Sequence, residues 1–231
     1  MRSVLRSLHA PVYAREKVLV RLICPHLMPG YRVLDVGCGF GHLGKAIMTA
    51  RPETTVEGLE RVRRPGELIR ITAYDGSRMP WRDDTFDAVI LADVLHHEPS
   101  SERLLRESVR VSSRLVIIKD HLREGFLARH RISLLDWGAN AGYKVPCTFR
   151  YNDLRQWRSM IGALRLHTHE EKTAIDIYPP VINSILGRGL HYFSVLEKKP
   201  LHCRPAGTGH AHSAMLPEYL QRPAENGFAP E

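Results

Sequence analysis

Val33-Leu34-Asp35-Val36-Gly37-Cys38-Gly39-Phe40-Gly41 runs from an apolar strand into three alternating glycines. A strand that ends this way and leads into a helix leaves a turn poor in side chains at the carboxyl edge of a sheet, where a ligand can approach the backbone closely. The order is G-x-G-x-G, with His42 where a dinucleotide fingerprint needs glycine. Asp35, two residues before the first glycine, would repel a pyrophosphate but suits a ligand bearing an ammonium group. One glycine motif by itself is equally an ordinary strand-to-helix turn. A second acid, Glu60, closes the next apolar run at roughly the 20-residue interval where a carboxylate can accept both hydroxyls of a ribose.

Outward from this stretch, apolar runs alternate with amphipathic segments, the pattern of a parallel sheet with helices on both faces. The first strand, Arg32 to Val36, is entered from the Pro29-Gly30 turn; a helix from about Gly41 to Ala50 follows, then a strand from about Thr55 to Glu60. Pro65-Gly66 breaks any long helix before a third strand near Leu68 to Thr72, so that crossover is expected to be a short loop. Phe86 to Leu91 reads as the fourth strand, and Ser100 or Ser101 with Glu102 starts a helix reaching Val111. Arg114 to Ile118 reads as the fifth strand. His121 to Ala141 is expected to be mainly helical, Gly142 to Tyr151 a loop, and Asn152 to Met160 a helix capped by Asn152 or Asp153. Strands near Leu164 to Glu170 and His191 to Glu197 complete the sheet. The expected fold is therefore α/β, a doubly wound, mostly parallel seven-stranded sheet of Rossmann-like type. Its parts are an N-terminal helical segment over 1–30, a ligand-binding domain over 31–199 and a disordered tail over 200–231, rich in Pro, Gly, His and Ala without apolar periodicity.

Composition narrows the partners less than the motifs do. The 231 residues carry a net charge of +8, and the segment Leu201 to Glu231 holds two arginines against three glutamates, so the positive charge lies in the preceding 200 residues. Arginines such as Arg103, Arg106 and Arg110 fall on an expected helix, where solvated charge explains them. No basic block with interleaved aromatics is present, so nucleic acid is possible but not favoured. The four cysteines form no C-x-x-C pair, and no run approaches the roughly 18 apolar residues of a membrane span. A reducing cytoplasm is the expected compartment. His167-x-His169 and His210-x-His212 lack a third ligand nearby, so no metal site is expected.

The ordered set of motifs resembles the class I methyltransferases that use S-adenosylmethionine (SAM), particularly the group related to ubiquinone and menaquinone methyltransferases. The resemblance covers about Arg32 to Lys119: the glycine loop Val33 to Gly41, the acid Glu60, Tyr74-Asp75-Gly76 followed by Met79-Pro80-Trp81 and Asp84-Thr-Phe-Asp87, and Ala92-Asp93-Val-Leu-His-His97. It implies SAM as cofactor and the methyltransferase form of the Rossmann-like fold, with a helical lid after the fifth strand. It further implies that Asp35 holds the methionine ammonium, directly or through water, and that Gly37 and Gly39 let the backbone approach the cofactor. Glu60 would bind ribose, Asp75 and the Gly76 backbone would read adenine, and Ala92 and Asp93 would border the methionine portion. The short crossover after the second strand departs from the family, which has a helix there.

Methyl transfer is an in-line displacement, and a hydroxyl or carbon acid acceptor must also lose a proton. His96 and His97 follow strand four; Lys119, Asp120 and His121 follow the expected strand five. His121 is the preferred proton acceptor, with Asp120 orienting or charge-stabilising its ring, and His97 is the alternate. Asp136 and Asn140 share a helical face and, with Trp137, are candidates to line an acceptor pocket. Phe149, Tyr151 and Trp157 are more often packing residues than a substrate box. The favoured acceptor is small or lipid-like; RNA or protein acceptors, a non-catalytic SAM-binding module and, least, an NAD oxidoreductase are the alternatives.

Overall fold

The computed structural model describes residues 15–140, 150–177, 183, 187 and 189–198, with side chains described throughout except at 136–140. The loop expected over Gly142 to Tyr151 falls mostly outside the described residues. So do the tail from Pro200, residues 1–14 of the N-terminal segment, and the side chains of Asp136, Trp137, Asn140 and Phe149.

Seven strands form one sheet in the order β3-β2-β1-β4-β5-β7-β6. They are β1 (Arg32–Val36), β2 (Thr55–Glu60), β3 (Ile71–Ala73), β4 (Phe86–Ala92), β5 (Ser112–His121), β6 (His167–Lys172) and β7 (His191–Glu197). Pairs among β1 to β5 are parallel, while β7 runs antiparallel to both β5 and β6. The chain steps outward from β1 first to β2 and β3, then returns to β4 on its other side. This reversal opens the crevice at the carboxyl ends of β1 and β4, where doubly wound sheets bind ligands.

The helices are α1 (residues 15–23), α2 (His42–Ala50), α3 (Ser101–Val111), α4 (Ala128–Asn140) and α5 (Leu154–Ala163). Strand side chains alternate between faces with period two. Val33, Ala88, Ile90, Ile117 and Phe193 meet Leu19 and Ile23 of α1 and Leu43 and Ile47 of α2 on one face. Leu34, Val36, Val89, Leu91, Val116 and Ile118 meet Leu104 and Leu105 of α3 and Trp157 and Ile161 of α5 on the other. Each fully buried Leu or Ile is worth about 1.5–3 kcal/mol of transfer free energy, so both faces are covered by substantial apolar contacts. Asp35 lies on the Val33 face, under α1.

Several boundaries differ from the sequence expectation: β3 (expected near Leu68 to Thr72), β6 (expected near Leu164 to Glu170) and α5 (expected over Asn152 to Met160) are each shifted by one to three residues toward the C-terminus, and β5 begins two residues early. β5 does not stop at Ile118 but continues through Lys119, Asp120 and His121, because β7 supplies a ladder opposite them: Lys119 pairs Phe193, Asp120 pairs Tyr192 and His121 pairs His191. The helix expected from His121 consequently starts only at Ala128, after Gly125 and Leu127 turn the chain with φ of 90° and 50°. Asp153, rather than Asn152, caps α5: its side chain accepts from the Gln156 N–H while the Gln156 side chain accepts from the Asp153 N–H. The crossover 61–70 carries no helix, as Pro65-Gly66 requires.

Candidate active site

The glycine loop is tied to the end of β2. Gly37 N–H donates to Leu59 O at 2.8 Å, and Gly39 N–H donates to Glu60 Oε2 at 2.9 Å. Gly37, Gly39 and Gly41 all take left-handed φ, between 59° and 83°. A Cβ on Gly37 would stand 2.5 Å from Val94 Cγ2, and one on Gly41 would stand 2.5 Å from Ile69 Cγ1. Glycine at those two positions is therefore required by the protein's own packing as well as by backbone conformation. Gly39 differs: its nearest neighbour is Arg64 Nη1 at 3.5 Å, which leaves that part of the backbone approachable.

Asp35 is 2% exposed at the carboxyl end of β1, and its Oδ2 has no hydrogen-bond partner among the described residues. Burial pushes its carboxyl up to about 7, against the lowering effect of the Arg15 charge. A buried carboxylate oxygen without a partner is costly unless a cation completes it. The pair Asp35 and Gly39 thus fits a ligand with an ammonium group and a body laid along the glycine loop. Glu60 uses Oε2 on Gly39 and Oε1 on the Arg61 N–H at 2.8 Å, so it also braces the loop.

Farther along the same edge, Asp75 is exposed, and its Oδ1 accepts from Ser77 N–H and Oγ at 2.8 and 2.5 Å, which hold its carboxyl below the usual range. Gly76 is buried with φ of 82°. Arg61 lies across it, 2.1 Å from where a Cβ would be, and reaches Glu98 at 3.3 Å. Ala92 ends β4, and Asp93 follows with φ of 57°. Asp93 Oδ2 accepts from Arg15 Nη2 and Nε at 2.6 and 3.0 Å, and its Oδ1 accepts from Lys119 Nζ at 2.5 Å. Burial alone would raise this carboxyl; the Lys119 and Arg15 charges reverse that and hold it well below the usual range. Sequence reading had no signal for Arg15, which stands 78 residues from Asp93.

Beside Asp93, the ends of β4, β5 and β7 bring four histidines together. The His96 ring lies 4.0 Å from His97, 4.8 Å from His121 and 5.8 Å from Tyr151, and His121 lies 5.7 Å from His191. Asp120 is fully buried and is the polar centre of this group. Its Oδ1 faces His96 Nδ1 at 2.6 Å and accepts the His121 backbone N–H at 2.7 Å; its Oδ2 accepts the Leu95 N–H at 3.0 Å. Burial would raise the Asp120 carboxyl, but His96 more than offsets it. An ionised Asp120 assigns the proton to His96 Nδ1 and leaves Nε2 as the basic nitrogen.

This corrects one half of the expectation for Asp120, which hydrogen-bonds the His121 backbone rather than orienting its ring because adjacent strand residues point to opposite faces. The other half stands, since the Asp120 charge still favours the protonated His121 ring. The His121 ring is 6% exposed, its Nδ1 lacks a partner among the described residues, and burial lowers it to about 4. His97 is half-buried. Of the aromatics expected after β5, Tyr151 packs edge-on against His121 at 5.5 Å, whereas Trp157 stacks on Tyr192 and donates to His121 O at 3.2 Å within the core. Among the described residues no group of three His, Cys, Asp or Glu side chains is placed to hold a metal ion.

Residues 34–114 match the family described as Methyltransferase domain. The ubiquinone/menaquinone biosynthesis C-methyltransferase UbiE of Paraburkholderia phymatum is 25% identical over 166 residues, 63% of this chain and 65% of that protein. Norajmaline N-methyltransferase of Rauvolfia serpentina is 28% identical over 93 residues, 35% of this chain and 32% of the relative. The chain thus spans only about a third of the length of some curated relatives it matches. The structure of magnesium protoporphyrin IX methyltransferase from Synechocystis PCC 6803, with bound S-adenosylhomocysteine, superposes with a TM-score of 0.54 at 15% identity, covering 80% of this chain and 83% of that one. At that identity the likeness is one of fold.

Proposed function

We propose that this chain, a class I SAM-dependent methyltransferase by its fold and its methyltransferase domain, passes the methyl group of SAM to a small or lipid-like acceptor. The observation that carries the reading is the partnerless Oδ2 of buried Asp35 at the switch point between β1 and β4, beside a backbone approachable at Gly39. Asp35 would hold the methionine ammonium and Glu60 the ribose hydroxyls. Asp75 and the Gly76 backbone would read adenine, while Ala92 and Asp93 border the reacting end. When bound, SAM supplies an electrophilic methyl group; the protein aligns the acceptor and excludes water.

Where the acceptor is an oxygen or carbon acid, His96 is the base the geometry favours. Asp120 fixes its Nδ1–H and stabilises the imidazolium formed when Nε2 takes the proton. His97, whose ring lies 4.0 Å away and tilted by 44°, and His121, as buried as His96, are the alternates. An acceptor that is already a nucleophilic amine or thiolate would need only alignment. RNA or protein acceptors remain the second reading, supported only by the net charge of +8. No helix among the described residues is long and apolar enough to cross a membrane. The cytoplasm is the compartment we favour.

Calorimetry with SAM, S-adenosylhomocysteine and NAD tests the cofactor, and mass spectrometry of the purified protein after incubation with methyl-labelled SAM and a small-molecule and lipid extract tests the acceptor. Heat with the first two ligands and a labelled small product are expected. NAD binding without SAM heat would overturn the reading, and label appearing only on RNA or protein would favour the second.

A further inference from the structure

Large apolar side chains are exposed at five positions among the described residues: Val62, Leu68, Phe126, Leu127 and Leu134. Three of the five fall within nine residues, from the turn after β5 into α4. Isolated exposed apolar residues are ordinary, but a cluster of them marks an interaction surface.

The turn is built to present them. Gly125 and Leu127 take φ of 90° and 50°, a conformation that glycine adopts freely and that is unfavourable for leucine. Ala128 N–H donates to Gly125 O at 3.3 Å and Arg131 N–H to Leu127 O at 3.0 Å, so the bend is closed by the helix it starts. On the inner side, Ala128 and Ile132 anchor that helix against Tyr151 and Leu190. On the outer side, Phe126 is 85% exposed and Leu127 53%. The bend accepts an unfavourable backbone and buries neither side chain, so whatever these residues gain lies outside the described residues.

The charge of the tip is positive: Arg123, Arg129 and Arg131 stand against Glu124. Arg123 is taken by Asp153 at 3.1 Å, and Glu124 accepts the Leu154 N–H at 3.2 Å. Arg129, exposed, and Arg131, half-buried with an Nε that lacks a partner, form no ion pair among the described residues. Apolar side chains with uncommitted guanidinia behind them complement a bilayer with anionic headgroups. The apolar groups enter the boundary between headgroups and acyl chains, and the guanidinia meet the phosphates. Nucleic acid would satisfy the arginines and leave Leu127 and Leu134 without apolar partners.

We propose that the Phe126 and Leu127 tip, with Arg129 and Arg131 behind it, docks the protein on an anionic phospholipid surface. Docking of this kind is peripheral, reaching only the depth of the tip's side chains. Tyr151 packs on α4 from within and lies against both His96 and His121, so the docked helix adjoins the histidine cluster. The inference goes beyond the reading of the cofactor site and stands without it.

The test is sedimentation of the full chain with two kinds of vesicle, one of phosphatidylcholine and one of equal parts phosphatidylcholine and phosphatidylserine. The native chain should bind the mixed vesicles about tenfold more tightly than the neutral ones at low salt, and lose most of that preference at high salt. Phe126→Ser combined with Leu127→Asn should weaken binding to the mixed vesicles about tenfold or more. Asparagine tolerates the left-handed conformation, so the double variant should melt no lower than the native chain. If it does melt lower, Phe126→Ser alone carries the comparison. Arg129→Gln should weaken binding to the mixed vesicles about threefold to fivefold and leave the neutral ones unchanged. Native binding that is absent, that ignores phosphatidylserine or that survives the apolar variants would overturn the proposal. A native dimer that the double variant converts to monomer in analytical ultracentrifugation would give the surface to a second copy instead. Binding of an RNA oligonucleotide but not of vesicles would give it to nucleic acid.

Discussion

The edge around the glycine loop and the histidine cluster beside it lie on one sheet, yet they handle buried charge in opposite ways. At the loop, Asp35 is left incomplete, with one oxygen unpartnered and its carboxyl lifted to about 7. In the cluster, Asp120 is saturated by Leu95, His96 and His121 and held low. A carboxylate lacking a partner is prepared to receive a cation from outside. A saturated one is committed to orienting a neighbour. The first arrangement suits ligand binding and the second suits holding a proton at a defined nitrogen.

The strongest way to break this contrast is to remove the basic nitrogen while keeping Asp120 satisfied. In His96→Asn the side-chain amide can still donate toward Asp120, so binding of S-adenosylhomocysteine should persist. Single-turnover methylation of an oxygen or carbon acceptor should fall by roughly 10²–10⁴-fold. His121→Ala, which loses no side-chain hydrogen bond among the described residues, should cost less than about tenfold in the same assay. Equal losses in the two variants would return the base to His121.

Asp35→Asn probes the other member of the pair. Loss of a buried carboxylate facing an ammonium should weaken S-adenosylhomocysteine by about 2–3 kcal/mol in calorimetry. The pH dependence has a defined sign. The ligand cation favours ionised Asp35, so native affinity should fall as pH drops below about 7, where the carboxyl must first lose a proton. The Asn variant should lack that slope. Stability runs the other way: a folded pKa of about 7, above the unfolded 3.8, means the ligand-free native state binds more protons, so its stability is lost as pH rises through this window. Asp35→Asn should therefore melt no lower than native protein at pH 8. A lower melting temperature there would show that Asp35 is already satisfied.

On cofactor affinity, a smaller effect than at Asp35 is expected at Glu60. Its carboxylate braces the Gly39 N–H, so Glu60→Ala should weaken the cofactor by about 1–3 kcal/mol through loss of charged hydrogen bonds. Glu60→Gln, which keeps an acceptor, should recover much of it. An unchanged dissociation constant in the Ala variant would confine Glu60 to the loop.

Strands β1, β2 and β7 lie where apolar patterning puts them, and so do the glycine loop, the helix-free crossover and the Ser100 cap of α3. Each depends on neighbours within a few residues: alternation of side chains, a proline that forbids a helix, a hydroxyl near a helix start. The acids Asp35 and Glu60 were legible for the same reason, as each lies at the end of a strand, whereas Asp75 and Asp93 were singled out only by the family resemblance. Local pattern fails where a contact joins distant segments. The extension of β5 through three polar residues depends on β7, about 70 positions later. Asp120 takes His96 rather than its neighbour His121 because alternation along a strand separates adjacent side chains and the sheet order brings β4 beside β5. The pairing of Arg15 with Asp93 needs α1 folded back on the face that holds Asp35. The sequence by itself thus determined the alternation of strands and helices, the glycine loop and the acids Asp35 and Glu60 at the ends of strands. Which buried charge is completed from within the protein, and which is left for a ligand, was decided only by the tertiary structure, because an ion pair requires side chains within about 4 Å and one-dimensional spacing does not encode that distance between separate elements.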